Sequence, residues 1–366
     1  MQLLLEGLGT AVPANRHDVA RSLATARMLL EPDPEQDTWL PSLFEKSGIV
    51  CKYNTLSDED IRVLVTDARA GLSAEERKNW PGPSVGTRMR YYERDAPPLA
   101  LNACRQALEA AGTAVGSITH LVTVSCTGFT APGIDLAVID GLGLDRGVER
   151  TLVGYMGCHG ALNGLRVARG LVSAEPGARV LVCAVELCTL HCAFSWDPGR
   201  VVANALFADG AAAVICRGID QVEDAPGWRL AASGSQIVAG TGGSMGWIIG
   251  DHGFEMSLSK DVPRKIEATL GPWLREWLAK QHLTVDAIRS WAVHPGGPRI
   301  LDATENSLGM ANGGLADSRG VLRDYGNMSS PTLLFIAKRM MERGAELPCV
   351  MLGFGPGLAI EAALWV

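Results

Sequence analysis

A pattern that returns at a nearly constant interval limits how this chain can fold more than any other feature. VGSITHLVTVSC begins at Val115 and VDAIRSWAVHPG at Val285, so a polar entry, an isoleucine and an apolar strand recur after 285 − 115 = 170 residues. Farther along, Cys158 precedes the helical pattern ALNGLRVARGLVSA (161–174), which leads through PGA into an apolar run at Val180. Asn327 likewise precedes SSPTLLFIAKRMMERG, which leads into an apolar run at Val350. These landmarks are separated by 327 − 158 = 169 and 350 − 180 = 170 residues. The agreement predicts two related halves.

Within each half, helices alternate with strands. LALNACRQALEAAG (99–112) has helical periodicity, while HLVTVSC (120–126) and RVLVCAVEL (179–187) read as buried strands. That order predicts parallel strands covered by helices. Residues 31 to 98, with EPDPEQD, SDED and PGPS, read as an irregular or helical excursion on the first half. RGIDQVEDAPGWR (217–229) is the best boundary, giving halves at 1–222 and 223–366. Relating them by a pseudo-twofold axis brings Cys158 and Asn327 together at equivalent helix starts. Val293–His294 then ends the strand that matches Ser125–Cys126.

The bulk numbers exclude more than they assign. A net charge of −7 over 366 residues does not describe a nucleic-acid surface or a protein drawn to anionic membranes. No run approaches the ~20 apolar residues that a bilayer span needs. The start, MQLLLEGLGTAVPANR, has no basic leader and meets Glu6 early, so a strand is expected there rather than a signal peptide. Nine cysteines, an odd number without a secretion signal, favour reduced thiols in the cytoplasm.

Cys158 in GYMGCHGALNG differs from the other cysteines in its setting. A thiol at a helix start feels the positive end of the helix dipole, and the neighbouring Gly157 and Gly160 permit a tight turn and close approach of a thioester. Cys183 and Cys216 lie within apolar strands and read as small buried hydrophobes, as do Cys104 and Cys349. Among the histidines, His294 stands at a strand end before PGGP; His17, His120, His252 and His282 read as surface or structural, and His159 points away along the helix. Asn327 alone would suit an N-cap. Beside a cysteine and a histidine, its amide supplies what decarboxylative chemistry requires, a second neutral donor to hold an enolate oxygen without protonating its carbon. CTLHC (188–192) lacks a second ligand pair at zinc spacing, so Cys188, His191 and Cys192 read as pocket lining and no metal is expected.

The motifs GYMGCHGA, NALFADGAAA (204–213), VHPGGPRIL (293–301), YGNMSS (325–330) and GFGPGLAIE (353–361) occur in order along nearly the whole chain and resemble the type III polyketide synthases of the chalcone synthase superfamily. The resemblance implies an α/β protein of thiolase-like fold, with duplicated halves in five layers αβαβα, acting as a homodimer on acyl-CoA and malonyl-CoA with no further cofactor. It implies that Cys158 carries the acyl chain and that His294 and Asn327 hold the enolate. Phe207 matches the gatekeeper between CoA tunnel and cavity. Gly296, Gly297 and Pro298 match the loop beside the pantetheine arm, and Gly353, Phe354, Gly355 and Pro356 the loop under the growing chain. Cys126, Thr127, Cys188, His191 and Ser329 fall at cavity positions, and Glu186 at a buried acidic one. Lys46, Lys52 and Arg299 are the candidates for CoA phosphates.

Departures from the plant enzymes narrow the expectation. Their second gatekeeper phenylalanine, four residues before the KDVP lysine, is Met256 here, and a cavity-lining glycine nine residues earlier is Trp247. Ala131 stands where a methionine crosses the plant dimer. The MGW pattern is similar to bacterial alkylpyrone and alkylresorcinol synthases, and an indole at 247 closes the usual aromatic-starter volume. The expectation is therefore repeated decarboxylative condensation of malonyl-CoA onto a fatty acyl starter, with release as a pyrone or resorcinol. The alternatives are a single-round ketoacyl synthase, an enzyme using an aromatic starter, or a catalytically silent acyl-CoA-binding homologue.

Overall fold

Consecutive residues of the apolar strands point into different cores, and this alternation sets the architecture. The computed structural model describes residues 2–220, 226–311 and 313–366. Its strands are β1 (Gln2–Ala11), β2 (Asn15–Asp18), β3 (Cys51–Asn54), β4 (His120–Ser125), β5 (Glu149–Gly154), β6 (Arg179–Leu187), β7 (Asp209–Ile219), β8 (Arg229–Ile237), β9 (Met245–Gly250), β10 (Gly253–Leu258), β11 (Ser290–Val293), β12 (Cys349–Gly355) and β13 (Ala359–Trp365). The helices are α1 (Val19–Leu30), α2 (Pro34–Lys46), α3 (Asp58–Ile61), α4 (Ala74–Lys78), α5 (Val85–Ala111), α6 (Ile134–Leu142), α7 (Gly160–Ala174), α8 (Pro198–Leu206), α9 (Val262–Ala279), α10 (Pro298–Leu308), α11 (Ala316–Tyr325) and α12 (Pro331–Glu342).

Nine strands hydrogen-bond in the order β11-β12-β13-β8-β1-β7-β6-β4-β5. The duplication is visible in this order, since β1-β7-β6-β4 is repeated by β8-β13-β12-β11. In each half the first two junctions are antiparallel and the last is parallel. A 3-10 turn precedes the corresponding strands, at Val115–Ser117 before β4 and Val285–Ala287 before β11. Among the described residues, the edge strand β5 has no counterpart in the second half. The half-sheets join where β1 meets β8, at Leu3–Leu230 and Leu4–Arg229.

On β6, Leu181, Cys183, Val185 and Leu187 pack with α5, whereas Val180, Val182 and Ala184 pack with α7 and α12. On β12, Cys349 and Met351 join that same central core, while Val350, Leu352 and Phe354 pack with α9 and α10. The layers are therefore outer helices, first half-sheet, α7 with α12, second half-sheet and outer helices. This is the thiolase-like five-layer arrangement. Each fully buried aliphatic side chain in it stabilises by roughly 1.5–3 kcal/mol, and the central layer is buried from both sides.

One expectation changes. The helix expected to begin at residue 99 begins at Val85, where Ser84 caps it by accepting the Thr87 N–H, and runs through Pro97 and Pro98. Prolines delete two helical hydrogen bonds there, but Tyr92, Ala96, Leu99 and Ala100 are buried around them and hold the helix on the sheet. The expected division at 222/223 lies outside the described residues.

Helix α5 lies directly on the backbone of β1. A Cβ built on Gly9 would stand 2.2 Å from the Ala103 carbonyl oxygen and 2.5 Å from the Ala107 nitrogen, both backbone atoms of a packed helix. Gly9→Ala is therefore expected to destabilise the fold by roughly 1–3 kcal/mol, the usual cost of overpacking. Equilibrium urea unfolding measures this directly, and an unchanged midpoint would show that the contact yields.

Candidate active site

The nucleophile turn depends on glycine. After β5 the chain takes positive φ at Tyr155 (56°) and Gly157 (73°) before a 3-10 turn, Gly157–His159, that leads into α7. A Cβ on Gly157 would come within 2.4 Å of Pro356 Cδ, so glycine lets the Gly353–Gly357 loop close on this turn. All nine cysteines are free, and only Cys158 and Cys192 are not fully buried. Burial pushes the Cys158 thiol up to about 11, opposed by hydrogen bonds from the Ser329 and Asn327 side chains. Desolvation thus outweighs the lowering expected from the helix start. Activation of this sulfur needs a base.

His294 directly follows β11, its backbone N–H bonded to the Leu352 carbonyl at 2.8 Å. Its ring is 1% exposed and neither ring nitrogen has a hydrogen-bond partner among the described residues. Burial, then the charge of nearby His159, lowers its pKa to about 3, so it is neutral. Asn327 is clamped at the α8–β7 corner, its N–H donating to the Leu206 carbonyl and its own carbonyl accepting from the Ala208 N–H, both at 2.9 Å. Its Oδ1 accepts the Ser329 N–H at 2.8 Å, which leaves the amide NH2 as the end that faces Cys158. It is not an N-cap, because α12 starts four residues later behind Ser330.

Cys158, His294 and Asn327 line one cavity of about 540 Å³, together with Phe207, Met256, Gly296 and Phe354. Among the described residues lining it, His294 is the one available base. The combination is a thiol, an imidazole able to take its proton, and two neutral donors for an oxyanion.

Cys158 also borders a second space of about 400 Å³ with Cys126, Thr127, Cys188, Trp247, Ser329 and Pro356. A third, of about 810 Å³, leads away past Cys188, His191 and Trp247 toward α1 and α2. Phe207 and Met256 border all three spaces. Met256 pairs with Trp247 across the β9–β10 hairpin, and the indole Nε1 donates to the Cys126 carbonyl at 2.8 Å. His191 Nδ1 accepts the Phe254 N–H at 3.0 Å, so its Nε2–H donates to the Thr127 carbonyl at 2.7 Å. Both nitrogens are committed, making His191 a wall. Glu186, wholly buried with its pKa raised by burial to about 7, accepts from the Cys126 N–H and the Thr127 and Ser330 hydroxyls. It ties the ends of β4 and β6 to the start of α12.

The remaining predicted residues separate. Gly353 and Gly355 pack against His159, which is buried and bonded through Nδ1 to Asn163 Oδ1 at 2.7 Å. Gly297 and Pro298 open α10, with Gly48 beside Pro298; Lys46 and Arg299 are exposed near this loop. Lys52 departs from its expected role at the surface. It is buried, with Nζ donating to the carbonyls of Asn204 (2.5 Å) and Phe207 (3.2 Å), and burial lowers its pKa to about 8. His17, read as surface or structural, is buried and lines the 810 Å³ lobe; His120 is buried as well. Met245, Leu258 and Ile300 line the Cys158 cavity without having been singled out. Ala203 and Leu206 do so too; Ala203 stands four residues before Phe207, a helical spacing that points to it.

The proton balance between sulfur and imidazole gives a test. Where His294 accepts the proton, thiolate formation at Cys158 is eased. In His294→Ala that acceptor is gone, and the pH dependence of iodoacetamide alkylation at Cys158 is expected to move upward. Identical profiles for both proteins would remove His294 as the base.

Comparison with known proteins agrees with this geometry. Residues 7–220 match the family chalcone and stilbene synthases, N-terminal domain, and residues 229–365 the C-terminal domain of the same family. The "Alpha-pyrone synthesis polyketide synthase-like Pks18" of Mycobacterium tuberculosis is 32% identical over 99% of this chain and 90% of its own length. The 1,3,6,8-tetrahydroxynaphthalene synthase of Streptomyces peucetius subsp. caesius is 35% identical over 97% of this chain and 90% of its own. The crystal structure of PKS-I from the brown alga Ectocarpus siliculosus superposes with a TM-score of 0.89 at 31% identity, covering 100% of this chain and 98% of that one. A chain with this fold, matched along both halves, belongs to the chalcone and stilbene synthase family and is a type III polyketide synthase, an acyltransferase.

Proposed function

We propose that the enzyme extends a fatty acyl-CoA starter by repeated decarboxylative condensation with malonyl-CoA and releases the product as a pyrone or resorcinol, using no cofactor beyond the CoA thioesters. The observation that carries this reading is the lobe of about 810 Å³, which shares Phe207 and Met256 with the spaces around Cys158 and carries Ala26, Leu29, Phe44, Leu56 and Ile61 on its walls. Its apolar walls suit an alkyl chain. Trp247 fills volume that an aromatic starter would need. The similarity to a protein named for α-pyrone synthesis supports the pyrone outcome.

In this reading the Cys158 thiol gives its proton to His294, the sulfur attacks the starter thioester, and the departing CoA sulfur takes that proton back from His294, which returns to the neutral form. Malonyl-CoA then loses CO2, and the enolate oxygen is held by a ring N–H of neutral His294 and the Asn327 amide. The enolate carbon attacks the Cys158-bound carbonyl, the C–S bond breaks, and a chain two carbons longer leaves on CoA. Lys46 and Arg299, the exposed cations near the Gly296–Pro298 loop, would meet the CoA phosphates.

The edge strand β5 supports a homodimer. It leaves Leu152 67% exposed, and Phe129, beyond the end of β4, is 71% exposed; large apolar side chains left open in this way are ones that proteins normally cover. Sedimentation at micromolar concentration should give twice the chain mass; the chain mass itself would refute pairing. Nine free cysteines accord with a reducing compartment such as the cytoplasm, and no described helix is long and apolar enough to cross a membrane.

Two substitutions test the catalytic and starter assignments together. Cys158→Ala should abolish extension of every acyl-CoA. Ala26→Leu adds bulk to the lobe, so the longest accepted starter should shorten by a few carbons while short starters continue to react. Mass spectrometry of products from a starter series reads both outcomes. Turnover by Cys158→Ala, or an unchanged length limit in Ala26→Leu, would contradict the corresponding assignment.

A further inference from the structure

Lys52 is a buried cation that the steps above do not use. An ammonium is costly to bury unless it is hydrogen-bonded, and the end of α8 supplies its partners. At Phe207 the helix stops: the Phe207 N–H still bonds back to the Ala203 carbonyl, but the next donor, the Ala208 N–H, turns away to the Asn327 carbonyl. The Asn204 carbonyl, which a continuing helix would have given to Ala208, is left for Lys52 Nζ. Nζ also donates to the Phe207 carbonyl, and a cation in this place meets the negative end of the helix dipole. Asp209 supports the ammonium by its charge, while its own oxygens accept from Thr55 and Thr189.

The same short segment carries Asn327. Between the two carbonyls that Lys52 holds lies the Leu206 carbonyl, which accepts the Asn327 N–H, and Phe207 and Asn327 pair as a parallel bridge. The residue before Asn327 packs on the lysine itself. Gly326 has φ 76°, and a Cβ built there would stand 3.2 Å from the Lys52 Cβ and 3.3 Å from the Leu206 carbonyl oxygen. We propose that Lys52 is a positioning residue for the condensation: its ammonium fixes the end of α8 on which the Asn327 backbone hangs, and so sets the amide that holds the enolate oxygen. It fixes the backbone of Phe207, at the junction of the three spaces, in the same way. The inference rests on the reading above in which Asn327 holds the enolate.

The test measures two rates in the same enzyme preparation: release of CO2 from carboxyl-labelled malonyl-CoA without a starter, and acylation of Cys158 by an acyl-CoA, read as a protein mass shift after rapid mixing. Each is expressed per acylatable Cys158, so unfolded protein does not count. In Lys52→Met, decarboxylation should slow by about tenfold, since a small misplacement of a reacting group can cost up to ~100-fold. Acylation, for which His294 is retained, should stay close to that of the unmodified enzyme. Lys52→Arg, which keeps a donor-bearing cation there, should recover most of the decarboxylation rate. Asn327→Ala is the control and should slow decarboxylation by about 100-fold, the effect of removing one oxyanion donor. If it does not, the reading of Asn327 fails and the positioning role with it. If Asn327→Ala is slow and Lys52→Met is not, only the positioning role fails. Equal loss of both rates in Lys52→Met, no recovery in Lys52→Arg, or failure of Lys52→Met and Lys52→Gln alike to fold would assign the ammonium to the fold alone and overturn the proposal.

Discussion

Burial of the paired helices α7 and α12 between two half-sheets is the constraint on which the rest depends. Both faces of this layer are apolar, with Leu162, Leu165 and Val172 on one helix and Leu333, Ile336 and Met340 on the other packed against strands from both halves. The segments leading into these helices are thereby brought to the same place. One carries Cys158 and the other Asn327, and His294 arrives from the end of β11. Glu186 adds a polar tie between the halves through Ser330. The site is a consequence of how the layers pack.

The same burial decides the electrostatics. It disfavours charge on Cys158 and on His294 separately, so a lone thiolate or a lone imidazolium is expensive there. A proton passed from one to the other would create opposite charges within one cavity, which offset part of that cost. Decarboxylation needs the reverse condition, a neutral imidazole and a neutral amide facing an enolate. A permanently charged arginine or lysine in their place would hold the malonyl carboxylate and oppose loss of CO2. One buried cavity serves both steps because its groups can be neutral at rest.

Much of this was legible in the sequence, for identifiable reasons. The interval of about 170 residues between Val115 and Val285 is visible because equivalent strands and central helices need the same lengths to fill equivalent layers. Cys158, His294 and Asn327 are marked by glycines or turns at element ends. The start of α5 was hidden because Pro97 and Pro98 read as a break, while tertiary burial sustains the helix through them. His17 and Lys52 were hidden because β2 and β3 have four residues each, too few to show an inward face. Burial of Lys52 also depends on carbonyls supplied by a helix far along the chain. The absence of a partner for β5 in the second half had no sequence signal in the spacing of the repeated landmarks.

The central claim is that one Cys158-bound chain is lengthened more than once before release. Isotopically labelled malonyl-CoA supplied with a single long-chain acyl-CoA measures this through the number of labelled two-carbon units in each product molecule. The account predicts two or more units on every released product. Products that uniformly carry one unit would contradict it and return the chain to single-round condensation.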